Sequence, residues 1–224
     1  MPTLECPRLE VDEVTVSVGR QQILLPVSVV VESGTALAVR GENGSGKTTL
    51  LRCVAGMQRP SAGRVLLDGQ VVDERARATR RRISALLGAS ATYSDLTVYE
   101  HLLLIDASWG GQKETLEERI DNVLDGLRIG GYADRFPHEL SSGQRHLVDI
   151  GLVLFRPADL LVLDEPEQRL DADRRALVAR LLRERVDAGT TMVIATHDPG
   201  VAAAACDDEI TLLASDSGAD RGAS

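Results

Sequence analysis

The nine residues GENGSGKTT, from Gly41 to Thr49, constrain the fold of this chain more than any other segment. They match the pattern G-x-x-x-x-G-K-[ST] of a phosphate-binding loop. The glycines let the backbone curl so that successive N–H groups point at one anion, and the following helix adds its positive dipole end. An apolar run precedes the loop and leucines at helical spacing follow it, so strand, loop and helix are all predicted. This context disfavours the alternative, a glycine-rich turn that binds nothing.

Two side chains of the loop have roles that follow from their positions. Lys47 can reach the outer phosphates of a nucleotide, and the Thr48 hydroxyl can complete the shell of a Mg²⁺ ion that keeps most of its waters. The other loop residues are predicted to hold phosphate chiefly through backbone N–H groups: Gly41, Glu42, Asn43, Gly44, Ser45, Gly46 and Thr49.

The bulk composition bounds the class of protein and its partners. The chain has 224 residues, of which 43% are hydrophobic and 26% charged, as in an ordinary globular domain. A net charge of −9 argues against nucleic acid as the main partner, because a phosphate backbone needs a basic face. One basic cluster, Arg75, Arg77 and residues 80–82, is interpreted as solvated surface, with contact to anionic lipid or an acidic partner as the alternative.

Neither export nor membrane insertion is indicated by the sequence. The first ten residues lack the apolar core of a signal peptide, and no apolar run approaches the ~20 residues that span a bilayer. Cys6, Cys53 and Cys206 are scattered, which fits reduced thiols in a cytosolic compartment better than disulfides or a zinc site.

Alternating strand and helix patterns surround the loop. They predict a mainly parallel α/β sheet with a helical insertion, and a polar tail at 215–224 that we expect to be disordered. The predicted strands are 9–18, 23–31, 64–67, 160–163 and 191–195, and the predicted helices cover 47–56, parts of 95–155 and 172–186.

Two carboxylates follow the apolar strand 160–163. Asp164 would lie beside the phosphate loop and hold Mg²⁺, directly or through water. Because adjacent strand residues point to opposite sides, Glu165 is free to orient or deprotonate an attacking water. This arrangement favours hydrolysis; a helix cap or simple solvation is the alternative.

A second predicted helix start has the sequence LSSGQ, with Ser141, Ser142, Gly143 and Gln144 at its beginning. Hydroxyls and a glycine there can form a second anion site, although plain helix capping is the alternative. Two such helix starts with one phosphate loop suggest a head-to-tail pair of domains, in which one domain covers the nucleotide of the other.

Five motifs in this order resemble the nucleotide-binding subunit of an ABC transporter: GENGSGKTT, LSSGQ, LLVLDEP, Leu170-Asp171 and Thr196-His197-Asp198. The resemblance covers about residues 9–213. It implies a single ATPase domain over 1–214 with the P-loop NTPase fold: a mainly parallel core sheet, an N-terminal antiparallel β-subdomain and an inserted α-helical subdomain over about 90–155.

The resemblance also implies roles. Residues 41–49 would be the Walker A loop, Asp164 with Glu165 the Walker B pair, and Ser141 to Gln144 the signature motif that completes a partner's site. Asp171 would belong to the D-loop between two sites, or cap the next helix. His197 would be the switch histidine at the γ-phosphate, so Glu165, His197 and Lys47 are the expected catalytic residues.

The cofactors implied are ATP and Mg²⁺. The implied partners are a second ATPase domain and a transmembrane permease subunit, with the chain peripheral at the cytoplasmic face of the membrane. Substrate, direction of transport and the choice between homodimer and heterodimer depend on those partners.

Four positions depart from the family pattern. In the family an aromatic residue stacks on adenine near the position that Val18 occupies here. Tyr93 is the alternative side chain for that stacking. Gly88 occupies the place of the Q-loop glutamine. Ser142 replaces a signature glycine, and Arg169 replaces a small D-loop residue.

Two rival interpretations stay open. One is a soluble ATPase of the same superfamily that acts on DNA ends or ribosomes; the acidic charge and the lack of a second phosphate loop weigh against it. The other is a regulatory subunit with weakened coupling, which Gly88 and Val18 favour and which the intact Glu165 and His197 oppose.

Overall fold

The structure is a computed structural model that describes residues 7–73, 75–88, 92–111 and 113–214. The expected disordered tail at 215–224 lies outside the described residues, as does Cys6. The strands are β1 (Leu9–Val18), β2 (Gln21–Val31), β3 (Ala36–Gly41), β4 (Ala62–Leu67), β5 (Gln70–Val71), β6 (Ile83–Leu86), β7 (Leu160–Asp164), β8 (Thr191–Ala195) and β9 (Asp208–Leu212). The helices are α1 (Lys47–Val54), α2 (Arg77–Arg82), α3 (Val98–Trp109), α4 (Leu116–Gly126), α5 (Ser142–Phe155), α6 (Ala172–Asp187) and α7 (Pro199–Ala205).

Two sheets form the frame of the molecule. An antiparallel sheet has the order β2-β1-β4-β5, and a five-stranded parallel sheet has the order β6-β7-β8-β3-β9. Helices α3, α4 and α5 lie in the chain between β6 and β7, two strands that are neighbours in the parallel sheet. The predicted α/β class with a mainly parallel core sheet is therefore confirmed.

The neighbouring strands β7 and β8 are buried almost throughout and are mainly apolar, as expected for the interior of a parallel sheet. Alternate residues of β7 enter different cores. Leu161 and Leu163 pack with the core that contains residues of α3 to α6, whereas Leu160 and Val162 pack with α1 and the antiparallel sheet. The carboxyl ends of β3, β7 and β8 share one edge of the sheet, because neighbouring strands run in the same direction.

Four arginines of the basic cluster, Arg75, Arg77, Arg80 and Arg81, are exposed as predicted, and only Arg82 is partly buried. Arg82 ends α2 and forms ion pairs with Asp68 and, at 2.6 Å, with Asp159 just before β7. Burial acts to raise the pKa of Asp68, but the hydrogen bonds from Arg82 and from the Arg8 backbone N–H together outweigh it and hold this pKa below its usual value. Arg82 thus ties the antiparallel sheet to the parallel one.

Two cysteines lie in the described chain, and both are free. Burial raises the pKa of the Cys53 thiol to about 11 and that of Cys206 to about 12. Both thiols therefore stay protonated and unreactive at neutral pH. Within the described ranges, no helix is long and apolar enough to cross a bilayer.

Candidate active site

The phosphate loop connects β3 to α1, as predicted. Gly41 and Gly46 have φ values of 143° and 93°. A Cβ at Gly41 would lie 2.6 Å from the carbonyl oxygen of Leu212, and one at Gly46 would lie 2.8 Å from that of Ile23. These two positions therefore require glycine for space as well as for backbone conformation.

We expect Gly46→Ala to destabilise the protein more than Gly44→Ala. Both positions have positive φ, but a Cβ at Gly44 meets nothing within 4 Å. Gly44→Ala should cost about 1 kcal/mol of strain, while Gly46→Ala adds a backbone clash and should cost about 1–3 kcal/mol more. Denaturant unfolding of the two variants measures the difference, and equal free energies of unfolding would contradict the steric argument.

Lys47 is the first residue of α1 and is almost fully buried. Its Nζ donates hydrogen bonds to the carbonyl oxygens of Gly41, at 2.8 Å, and Glu42, at 3.0 Å. The ammonium group is thereby held against the backbone of the loop. In a phosphate loop an anion meets both such an ammonium group and the backbone N–H groups.

The two predicted metal ligands are adjacent. The Thr48 hydroxyl donates a 2.6 Å hydrogen bond to Oδ2 of Asp164, the last residue of β7. Because β8 lies between β3 and β7, this contact links the phosphate loop after β3 to the end of β7 across β8. Paired hydroxyl and carboxylate oxygens are ligands that Mg²⁺ prefers, so the residues present fit that ion.

Glu165 turns away from the strand through its backbone, not through strand alternation. β7 ends at Asp164, and Glu165 adopts a left-handed φ of 49° while its N–H bonds the carbonyl of Ala195 at 2.8 Å. The strand alternation predicted from the sequence is therefore wrong as the reason why the two carboxylates separate; the backbone turn at Glu165 separates them. For a residue with a side chain, this φ is uncommon and often marks a functional turn.

Each oxygen of the Glu165 carboxylate has its own polar neighbour. Oε1 lies 3.2 Å from Nε2 of His197, and Oε2 accepts a 2.9 Å hydrogen bond from the Gln168 amide. The Glu165 side chain is 30% exposed and that of His197 45%. The structure thus brings two of the three predicted catalytic residues together at a site open to solvent, and it adds Gln168, which was not predicted from the sequence.

Arg175 is a second residue that sequence reasoning missed. From α6 it donates to the carbonyl of Leu170, at 2.9 Å, and to Oδ2 of Asp198, at 3.1 Å. Asp198 caps α7 by accepting from the N–H groups of Gly200 and Val201. The hydrogen bond from Arg175 is the main cause that holds the pKa of Asp198 below its usual value.

The signature segment shows the capping that was the alternative to an anion site. Ser141 Oγ accepts from the N–H of Gln144, and the Gln144 side chain accepts from the N–H of Ser141. The helix α5 begins at Ser142, within the segment predicted to begin it, and Gly143 lies against the Arg169 carbonyl. Among the described hydrogen bonds, none joins these residues to the phosphate loop of the same chain.

Asp171 likewise caps a helix. Its carboxylate accepts from the N–H of Arg174 at 2.9 Å and begins α6. Arg169, two residues earlier, has a left-handed φ of 64°. The helix-capping alternative for Asp171 is therefore confirmed, and the proposed role between two sites is compatible with it.

The departures from the family pattern have clear structural settings. Val18 ends β1 and is 66% exposed, whereas Tyr93 stacks on His101 of α3 with ring centroids 6.1 Å apart. Gly88 follows β6 with a φ of 89°, and a Cβ there would meet nothing within 4 Å. The left-handed backbone, more than crowding, is what suits glycine at position 88.

Together the parallel sheet, the glycine loop after its β3 strand and the carboxylate at the end of β7 define a P-loop nucleotide-binding protein of the α/β class. The family model described as "ABC transporter" matches residues 24–168, more than half of the chain. The chain therefore belongs to the family of ABC transporter ATP-binding subunits.

Curated relatives agree with this assignment. The chain is 37% identical over 199 residues to the spermidine/putrescine import ATP-binding protein PotA of Chromobacterium violaceum, covering 88% of this chain and 54% of the relative. It is 38% identical over 185 residues to the sulfate/thiosulfate import ATP-binding protein CysA of Caulobacter vibrioides, covering 80% and 54%. The chain thus spans about half the length of the curated relatives it matches.

Solved structures share the fold. An ATP-binding subunit of an ABC transporter superposes with a TM-score of 0.83 and 26% identity, covering 91% of this chain and 85% of that one. A dimeric ATP-binding cassette with bound ADP and phosphate superposes with a TM-score of 0.81 at 24% identity, covering 91% and 94%, and supports the fold alone.

Proposed function

We propose that this chain binds and hydrolyses Mg-ATP as the motor subunit of an ABC transporter. The observation that carries the proposal is the convergence of three groups on one edge of the sheet. Lys47 lies in the phosphate loop, Thr48 contacts Asp164, and Glu165 contacts His197. This is the set that phosphoryl transfer to water needs: a cradle for phosphate, ligands for a divalent cation and a base for the nucleophile.

In this proposal the loop N–H groups and Lys47 bind the β- and γ-phosphates. Thr48 and Asp164 hold Mg²⁺, which neutralises phosphate charge when bound. Glu165 accepts the proton of the attacking water, and His197 contacts both this carboxylate and the γ-phosphate. Catalysis is then mainly positioning and electrostatic stabilisation.

The signature segment supports a dimer as the working unit. The start of α5, with Ser141, Ser142, Gly143 and Gln144, presents a positive dipole end that favours an anion. The described side-chain bonds of Ser141 and Gln144 stay within this segment and with Tyr132. We propose that they cover the nucleotide of a second ATPase domain, with Asp171 between the two sites. Two Mg-ATP would then be shared between two surfaces, and binding would close the dimer. Residues 1–214 would form one ATPase domain, with residues of about 90–155 as its helical subdomain.

The proposed partner is a transmembrane permease subunit, which would hold the chain peripherally at the cytoplasmic face of the membrane. The relatives from Chromobacterium violaceum and Caulobacter vibrioides are import ATP-binding proteins, which supports this proposal. Affinity purification of the tagged chain from detergent-solubilised membranes of its native cells tests it. Recovery of a transmembrane permease supports the proposal, and recovery of the chain from the soluble fraction alone contradicts it.

A regulatory subunit is the second candidate, favoured by Gly88 and by exposed Val18 in place of an aromatic residue. Phosphate release by the purified chain with Mg-ATP separates the two. Turnover that rises more steeply than linearly with protein concentration supports a dimeric ATPase. Binding of ATP without turnover, with and without the recovered permease, supports the regulatory subunit.

A further inference from the structure

Two loops of the site are joined by a carboxylate that the proposed chemistry does not use. We define the β7 loop as residues 165–171 and the switch loop as residues 196–199. Glu167 of the β7 loop is 9% exposed, and its Oε1 accepts hydrogen bonds from Thr196 Oγ1, at 2.5 Å, and from the His197 N–H, at 3.1 Å. Thr196 itself is fully buried.

The second oxygen of the Glu167 carboxylate adds no hydrogen bond that would stabilise the fold. Its Oε2 is buried and has no hydrogen-bond partner among the described residues. Burying a carboxyl group with an unsatisfied oxygen is costly, so a residue retained there on packing grounds would be apolar. What the carboxylate provides is one acceptor that holds two donors of the switch loop at once.

The hydrogen bonds continue on the far side of the histidine. Thr196 Oγ1, which donates to Glu167, also accepts from the N–H of Asp198 at 3.0 Å. The backbone is therefore fixed at His197 directly and at Asp198 through the threonine. Only the imidazole is left to move, and its Nε2 lies 3.2 Å from Oε1 of Glu165.

We propose that Glu167 is a positioning residue, which fixes the backbone of His197 so that the imidazole meets Glu165 and the γ-phosphate. This inference rests on the proposed role of His197. Because the β7 loop also carries Glu165, one short segment sets both catalytic groups: Glu165 by its own backbone and His197 through the buried carboxylate. A misplacement of about 1 Å at such a site can lower turnover as much as 10²-fold.

The test is a comparison of kcat and KM for ATP in Glu167→Ala and Glu167→Gln. Alanine removes the acceptor, so kcat should fall about 10- to 100-fold while KM stays within about twofold, because the phosphate loop is untouched. Glutamine keeps an acceptor oxygen and should retain kcat within about threefold. Glu118→Gln, on the exposed face of α4, is the matched control for loss of one acid.

A double-mutant cycle separates positioning from general structural damage. In a His197→Ala background, Glu167→Ala should lower kcat by no more than about twofold further, because the group it positions is gone. A full additional loss, or a raised KM with unchanged kcat, would overturn the proposal. Should Glu167→Ala not fold, Thr196→Val takes its place: it removes one of the two donors to Glu167 Oε1 and also the acceptor of the Asp198 N–H, so kcat should fall, and wild-type kcat in that variant would overturn the proposal.

The His197→Ala variant also distinguishes this inference from the proposed function. Unchanged kcat in the single variant His197→Ala means that the histidine has no catalytic role. That result contradicts the role of His197 in the proposed function. Reduced kcat in His197→Ala together with wild-type kcat in both Glu167→Ala and Thr196→Val leaves the function intact and overturns the positioning role.

Discussion

Replacing Glu165 with glutamine is expected to lower kcat for ATP hydrolysis by about 10²–10⁴-fold. The amide has nearly the shape of the carboxylate, so the backbone turn at φ 49° and the burial of the β7 loop should be preserved. What is lost is the ability to take a proton from water beside His197. Steady-state phosphate release with saturating Mg-ATP measures the effect, while equilibrium binding of ATP should change little.

The Glu118→Gln variant controls for the removal of a negative charge far from the site. Near-wild-type turnover in Glu165→Gln would rule out the general-base role. The hydrolysis would then have to be explained by positioning alone, through Lys47 and the cation ligands.

Replacing Lys47 with alanine is expected to lower kcat/KM for ATP by about 10²–10³-fold, the range measured when one preorganised donor is removed from a developing charge. The loss should appear in both binding and turnover, because the ammonium faces the phosphates in the ground state as well as in the transition state. Lys47 also bonds two carbonyl oxygens of the loop, so its loss removes a contact that shapes the loop. Nucleotide binding by calorimetry, alongside the kinetic constants, measures both effects.

Arg52→Ala on the exposed side of α1 is the matched control, since it removes a cation from the same helix outside the loop. Equal losses of kcat/KM in the two variants would mean that the charge of the helix, and not the position of Lys47, favours the nucleotide.

Site residues that lie at the ends of parallel strands could be predicted from the sequence. The juxtaposition of Thr48 and Asp164 follows from a phosphate loop after one parallel strand and an acid at the end of another, because such ends share one edge. The pairing of Glu165 with His197 came only through the family resemblance. The strand order β6-β7-β8-β3-β9 places β8 between β3 and β7. The apolar sequences of these strands do not predict that order.

Residues that act through tertiary pairing were not predictable. In the segment DEPEQRLD, Glu167 follows a proline in a polar turn and resembles an exposed acid. Its burial depends on Thr196, which is distant in sequence. The same holds for Arg175, one of many arginines on a helix, and for Arg82, whose partners lie on both sides of it in the chain.

The central place of β8 limits which length changes the chain can accept. Ala195 pairs with Val39 on one side and with Asp164 on the other. An inserted residue within β8 would shift the switch loop against both neighbours and exchange every side chain between the two cores. The turn at Gly189 before β8 is a different case, because added residues there can bulge into solvent at a small entropic cost. Natural insertions and deletions should therefore collect at the amino end of this strand and be absent from its carboxyl end.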